Sequence, residues 1–253
     1  MYLYIYDSFL KDKKYEIALN KIEARLSDLG ISGRTAKMTI LKNMKETIED
    51  GVKKGAETVV AVGDDQTLFD VIRIIAGNSV TIGFIPVGKK SSLAEVLDIP
   101  KEEKACDVLS ARLIAKLDIG KINSHYFLSS VEAKSGQVSI ECDGHYWVVP
   151  QSTTDSVSIR NLDQSAGVKH HSDPQDGMLE AVISPQSSGG FAGFWRKTGS
   201  GQSSVFPARR LKIVSRNESV PLLVDGENMA KTPATVQVVP RKLTLIVGKH
   251  RVF

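Results

Sequence analysis

The stretch VAVGDDQTLFDVIRIIAG, residues 60–77, places a glycine, two carboxylates and a hydroxyl where an apolar run meets a helical pattern. A strand ending at Gly63 and turning into a helix points backbone N–H groups and the positive end of the helix dipole beyond the sheet, where an anion such as a phosphate can sit. The same residues also suit a plain helix cap, with Asp and Thr accepting from the first-turn N–H groups. Gly88, Lys89 and Lys90 follow the next apolar run, and the two lysines read either as charge for a bound phosphate or as a solvated pair. His170 and His171 are adjacent, so on an extended segment they face opposite ways, and no third ligand stands at a spacing that suits a transition metal. Cys106 and Cys142 form no Cys-x-x-Cys or zinc spacing, and no Gly-x-Ser-x-Gly turn offers a serine nucleophile.

The elements that must carry these residues are legible from periodicity. Residues 3–6 read as a strand; Ala18, Ile22, Leu26 and Leu29 form one helical stripe with Gly30 behind it as a C-cap. A short strand is expected at 37–41, a helix over 43–54 and an apolar strand at 58–62. Leu68, Val71, Ile72 and Ile75 give the helix after the turn an apolar face, a strand follows at 80–85, and Ser91 or Ser92 caps a short helix. Alternating βα units predict a mostly parallel sheet. From about residue 111 helical periodicity fades. Strand patterns at 113–117, 124–130, 137–142, 145–149, 156–159, 178–183, 210–214, 222–225, 235–239 and 243–247 predict an antiparallel β-sandwich. The expected division is an α/β domain over 1–110 and a β-sandwich over 111–241, with 186–190 and 199–204 as loops.

With 253 residues and a net charge of +4 spread over both signs, the chain has no basic run to track a phosphate backbone, which argues against nucleic acid as a partner. Lys11, Lys13 and Lys14, like the charged run 101–104, read as solvated helix ends. The N-terminus lacks both a signal pattern and an apolar run of membrane length, so the expectation is a cytoplasmic protein with reduced thiols that is able to touch a membrane surface. Phe191, Phe194 and Trp195 cluster between glycine-rich turns, either as sandwich core or as the lining of a lipid path.

Taken in order, GDDQTL at 63–68, PVGKKSS at 86–92, SDPQDGMLEAVI at 172–183 and PLLVDGENMAKTPATVQVVP at 221–240 resemble the catalytic domain of the diacylglycerol kinase family, whose turns read Gly-Gly-Asp-Gly-Thr-Leu, Pro-x-Gly-Thr, Asp-Asp-Gly-x-Leu and Asp-Gly-Glu. The resemblance implies an N-terminal nucleotide-binding α/β domain, a C-terminal β-sandwich and a last strand, about 242–253, that returns to the first domain. It implies ATP-dependent phosphorylation of a lipid hydroxyl with Mg²⁺. Carried over position by position, Gly63, Asp65, Thr67, Gly88 and Lys89 fall on the nucleotide-binding turns. Glu227 falls on the base that draws the proton from the lipid hydroxyl, with Asp65 organising Mg²⁺ and water. Asp176 and Met178, assisted by Asp173, fall on an oxygen-rich Mg²⁺ loop. The chain departs from the pattern at Asp64 and Gln66, which replace glycines, at Ser92, which replaces a carboxylate, and at Asp7-Ser8-Phe9, where the family has Asn-Pro and a Ser/Gly turn. These departures carry a second expectation: a catalytically impaired member that binds a lipid, a nucleotide or a protein through the same shell.

Overall fold

Every position of the strand Thr58–Gly63 (β3) is buried, and so are nearly all of Tyr2–Tyr6 (β1) and Thr81–Pro86 (β4). Continuous apolar runs of this kind belong to a parallel sheet covered on both faces. The computed structural model describes residues 1–39, 42–76, 78–133, 136–162, 172–185 and 203–253. It divides into two units, one holding Met1–Leu117 and Arg241–Phe253, the other most of residues 118–240.

In the first unit β1 pairs in parallel with Arg34–Lys37 (β2) and with β3, and β3 pairs with β4. Thr244 and Leu245, near the end of the last long strand, add in parallel beside Thr81 and Ile82. Two 3-10 turns, Ser8–Lys11 and Lys13–Tyr15, lead from β1 into helix α1, Glu16–Asp28, which buries Ile22 and Leu26. Helix α2, Met44–Lys53, is capped by Asn43, whose side chain accepts from the N–H groups of Lys45 and Glu46. Helix α3, Asp65–Ile75, buries Leu68, Val71, Ile72 and Ile75, and a short helix α4, Ser92–Val96, is capped by Ser91. Helix α5, Glu103–Ala111, buries Ala105, Cys106 and Leu109 and packs on α1.

The second unit is antiparallel. Six strands run in the order Ser204–Ala208 (β12), Leu179–Ser184 (β11), Ser156–Arg160 (β10), Ser130–Ala133 (β7), Pro221–Val224 (β14) and Glu227–Lys231 (β15). A second row pairs Ala234–Ile246 (β16), Arg210–Ser215 (β13), Val138–Cys142 (β8) and Tyr146–Val148 (β9). Ile140, Leu211 and Val236 from this row share one core with Val131, Ile159 and Leu222 from the other. Ile114–Ile122 (β5) and His125–Phe127 (β6) form a hairpin.

The parallel-then-antiparallel architecture is as expected, with local differences. The strand expected at 37–41 lies at Arg34–Lys37, because Thr35 and Ala36, not residues past Met38, meet Tyr4 and Ile5 of β1. Strand β12 begins at Ser204, at the end of the stretch read as a loop, and the two patterns at 235–239 and 243–247 are one continuous strand. His170, His171, Phe191, Phe194, Trp195 and the stretch 186–190 lie outside the described residues. Among the described residues no helix is long and apolar enough to cross a membrane.

Candidate functional site

The sheet order β2-β1-β3-β4 reverses direction between β1 and β3, and ligands of such sheets bind outside the carboxyl ends of the strands at that reversal. Here those ends are Asp7, which follows β1, and Gly63, which closes β3. The turn from Gly63 into α3 is therefore in the right place, and its internal bonding decides what it can hold.

Asp64 is the N-cap of α3. Its Oδ1 accepts from the Thr67 N–H at 3.2 Å, while its own N–H donates to Thr67 Oγ1 at 3.2 Å, a reciprocal capping box. The Thr67 hydroxyl donates to Asp7 Oδ2 at 2.7 Å. A Cβ at Gly63 would lie 2.3 Å from Thr67 Oγ1, so only glycine lets β3 and α3 close this tightly. Asp7 also caps the first 3-10 turn through the Phe9 N–H at 3.2 Å. Asp65 faces the neighbouring helix: it accepts from the Ser91 hydroxyl and from the Leu93 N–H, while Ser91 Oγ accepts from the Ala94 N–H at 2.8 Å. Burial pushes the Asp65 carboxyl above the ordinary carboxylate value, with the charge of Asp64 adding and the Ser91 and Leu93 donors opposing.

The second turn packs against the first, since Val87 N–H donates to Gly63 O at 2.7 Å. Gly88 has φ +99°, and a Cβ there would meet the Phe9 ring at 3.3 Å and the Tyr15 hydroxyl at 3.4 Å. Phe9 and Tyr15 form an edge-to-face pair, 5.4 Å between centroids, over this glycine. Lys89 is exposed, and Lys90 pairs with Glu95 at 2.9 Å. A cavity of about 290 Å³ opens at the carboxyl ends of β1 and β2, where Lys11, Lys13 and Lys37 are mixed with Asp7, Glu16 and Glu23.

A phosphate at this turn needs free N–H donors and local positive charge. The Thr67 N–H is held by Asp64 and the Asp64 N–H by Thr67, and carboxylates of Asp7 and Asp64 flank the same hydroxyl. Two like charges 4 Å apart repel by about 4 kcal/mol at an effective dielectric of 20, more than the dipole of one helix terminus supplies. The carboxylates of Asp7 and Asp64 therefore oppose a phosphate at this turn.

In the second unit, Asp173 Oδ1 accepts from the Gln175 N–H at 2.9 Å and Asp176 Oδ1 from the Met178 N–H at 2.8 Å, so each closes its own turn. Asp118, fully buried on β5, anchors this loop: its Oδ2 accepts from the Gly177 N–H at 2.7 Å and its N–H donates to Pro174 O at 2.6 Å. Burial raises the Asp176 pKa, the Asp173, Asp118 and Glu180 carboxylates add, and the Met178 N–H opposes. Among the described residues no group of three or more His, Cys, Asp or Glu is placed to hold a metal ion. Glu227 is exposed at the start of β15. Asp225, two residues earlier, is buried with φ +47° and accepts from the N–H groups of Leu128 at 3.1 Å, Ser129 at 2.8 Å and Ser130 at 3.2 Å.

Gly63, Asp65, Thr67 and Gly88 thus come together in the first unit, and Asp173, Asp176 and Met178 share one loop of the second. The role of Asp7 was signalled only by its departure from the family pattern. Asp118 had a fainter sign, a carboxylate between the apolar residues Leu117 and Ile119 of β5.

An open parallel sheet with a strand-to-helix turn at its reversal point, followed by an antiparallel β unit, defines a two-unit α/β-plus-β architecture. Residues 2–122 match the diacylglycerol kinase catalytic domain. The chain is 27% identical over 115 residues to a diacylglycerol kinase of Bacillus subtilis (strain 168), a stretch that is 44% of this chain and 38% of that protein. It is 33% identical over 94 residues to a diacylglycerol kinase of Staphylococcus haemolyticus (strain JCSC1435), covering 36% of this chain and 28% of that one. The match thus spans well under half the length of these curated relatives. A crystal structure of a diacylglycerol kinase from Bacillus anthracis str. Sterne covers 99% of this chain and 98% of its own at a TM-score of 0.80 and 16% identity, a likeness of fold. The family match is to residues 2–122, a little under half of the chain.

Proposed function

We propose that this protein is a lipid-kinase-like member of the diacylglycerol kinase family that engages a lipid hydroxyl compound and in which transfer of the ATP γ-phosphate is impaired. One observation carries the reading: the Asp64 and Thr67 N–H groups are engaged in a reciprocal capping box, and the Thr67 hydroxyl is tied to Asp7, so two carboxylates stand at the turn. Phosphoryl transfer rests on positioning and charge neutralisation, and a turn closed by carboxylates supplies neither. Glu227 stands exposed at the position that the family resemblance gives to the base.

The test follows label from γ-labelled ATP into a total lipid extract with Mg²⁺, using wild type, Glu227→Gln and the double substitution Asp64→Gly, Gln66→Gly. Wild type is expected to transfer at background and to gain no thermal stability from MgATP, since a ligand that does not bind the native state leaves Tm unchanged. The double glycine variant is expected to gain both. Transfer by wild type that disappears in Glu227→Gln overturns the reading and makes the chain an active lipid kinase with Glu227 as its base.

A further inference from the structure

Tyr2, Tyr4 and Tyr6 stand on one face of β1 by the two-residue period of a strand. The Tyr2 hydroxyl accepts from Arg112 Nη1 at 3.1 Å, and the Tyr4 hydroxyl donates to Ile31 O at 2.6 Å. Tyr6 is only 2% exposed, yet its hydroxyl has no hydrogen-bond partner among the described residues. A buried tyrosine hydroxyl normally finds a partner, so one that has none and borders open space marks a place for a solvent or ligand atom. Burial, with the Glu23 carboxylate and Cys106 adding, raises the Tyr6 pKa, so this hydroxyl keeps its proton and offers a donor.

Tyr6 lines the cavity of about 290 Å³ at the carboxyl ends of β1 and β2. The other buried side chains of its lining are aliphatic: Leu10 is 3% exposed and Met38 6%, and Leu19 of α1 is half-buried. The rest of the lining, Asn20 apart, is charged and in balance. Lys37 pairs with Glu23 at 3.8 Å and Asp12 with Lys14 at 3.2 Å, while Lys11 and Lys13 are matched by Asp7 and Glu16. A net charge on a ligand therefore finds no excess of the opposite sign. A nucleobase finds no free ring to stack on, since Tyr6 is the one aromatic residue in the lining and the Lys37 ammonium lies 5.9 Å from its ring centroid. Aliphatic walls with a single buried donor suit a neutral aliphatic chain that carries one acceptor group.

We propose that this cavity binds a small neutral amphiphile, an aliphatic chain ending in an ester or hydroxyl group, whose oxygen accepts from the Tyr6 hydroxyl and whose chain lies on Leu10, Leu19 and Met38. The site goes beyond the phosphoryl-transfer reading, because it needs no nucleotide and Glu227 lies in the other unit.

The probes are 1-octanoylglycerol, octanoate and adenosine, each titrated into the full chain by calorimetry, the glyceride below its micelle concentration. Saturable one-to-one binding of 1-octanoylglycerol is expected, at least about tenfold tighter than that of octanoate, with no heat of binding from adenosine. Tyr6→Phe keeps the ring and removes the donor, and is expected to weaken glyceride binding about fivefold without lowering Tm, the effect of one hydrogen bond. Leu19→Trp, at a half-buried position, puts an indole into the cavity and is expected to abolish binding in a chain that still unfolds cooperatively. Absence of saturable glyceride binding overturns the proposal. Binding that Tyr6→Phe leaves unchanged overturns the donor role, and binding that Leu19→Trp also leaves unchanged places the ligand elsewhere. Tighter binding of octanoate overturns the neutral class, and tighter binding of adenosine makes the cavity a nucleoside site.

Discussion

Asp64 does at the α3 turn what a bound phosphate does at a glycine-rich one: it accepts from a first-turn N–H and places negative charge at the positive end of the helix. The difference is permanence, because the side chain is covalently present at every moment. Asp65, next to it, has been drawn into holding α4 through Ser91 and Leu93. Its raised pKa means that the folded chain binds this proton more tightly than the unfolded chain does. The associated stability is complete below the ordinary carboxylate value and is lost as pH rises through the folded value. Asp65→Asn removes that slope, so urea midpoints of the wild type should fall relative to the variant as pH rises above the ordinary carboxylate value. Parallel curves would place the burial cost elsewhere. Neither role could be read from residue type alone, because an Asp that caps and an Asp that lines a site look the same in sequence. The partner that decides the matter for Thr67, Asp7, lies 60 residues away.

At the scale of elements, the Asp-Gly-Glu turn between β14 and β15 is held by Asp225. Its carboxylate gathers three consecutive N–H groups from the approach to β7, about a hundred residues earlier. Asp225→Ala leaves those buried donors without their acceptor and should cost roughly 3 kcal/mol, read as a lower urea midpoint. A loss within about 0.5 kcal/mol, the range of ordinary surface changes, would mean that the turn holds without this clamp. The turn itself was visible as a motif, whereas the clamp was not. Helix α5 was signalled only by the charged run 101–104 at its start: it is nine residues long, and its buried face of Ala105, Cys106 and Leu109 is too short and too weakly apolar to show a stripe.

For the whole molecule, each unit carries one buried thiol, Cys106 on α5 and Cys142 on β8. Burial pushes the Cys106 thiol up to about 12, with Asp107 adding and Arg25 opposing, and burial also raises Cys142. A protonated, enclosed thiol reacts only when its surroundings open. Native wild type should therefore resist a disulfide reagent. Cys142→Ser and Cys106→Ser, each leaving one thiol, should react in urea as the first and the second unit open, respectively. Rapid labelling of either variant in native buffer would put that thiol outside a closed core.

By itself the sequence determined the order of architectures and the position of the anion-type turn, because both are written in local periodicity. Strands buried on both faces read as unbroken apolar runs, strands buried on one face alternate, and a helix repeats every three to four residues. Only the tertiary structure decided that Thr67 binds Asp7, that Asp65 belongs to α4 and that Trp147 stands in one row with Lys212. Those are relations between residues distant in the chain, and they are set by which strands pair and how closely helices approach, which no local pattern records.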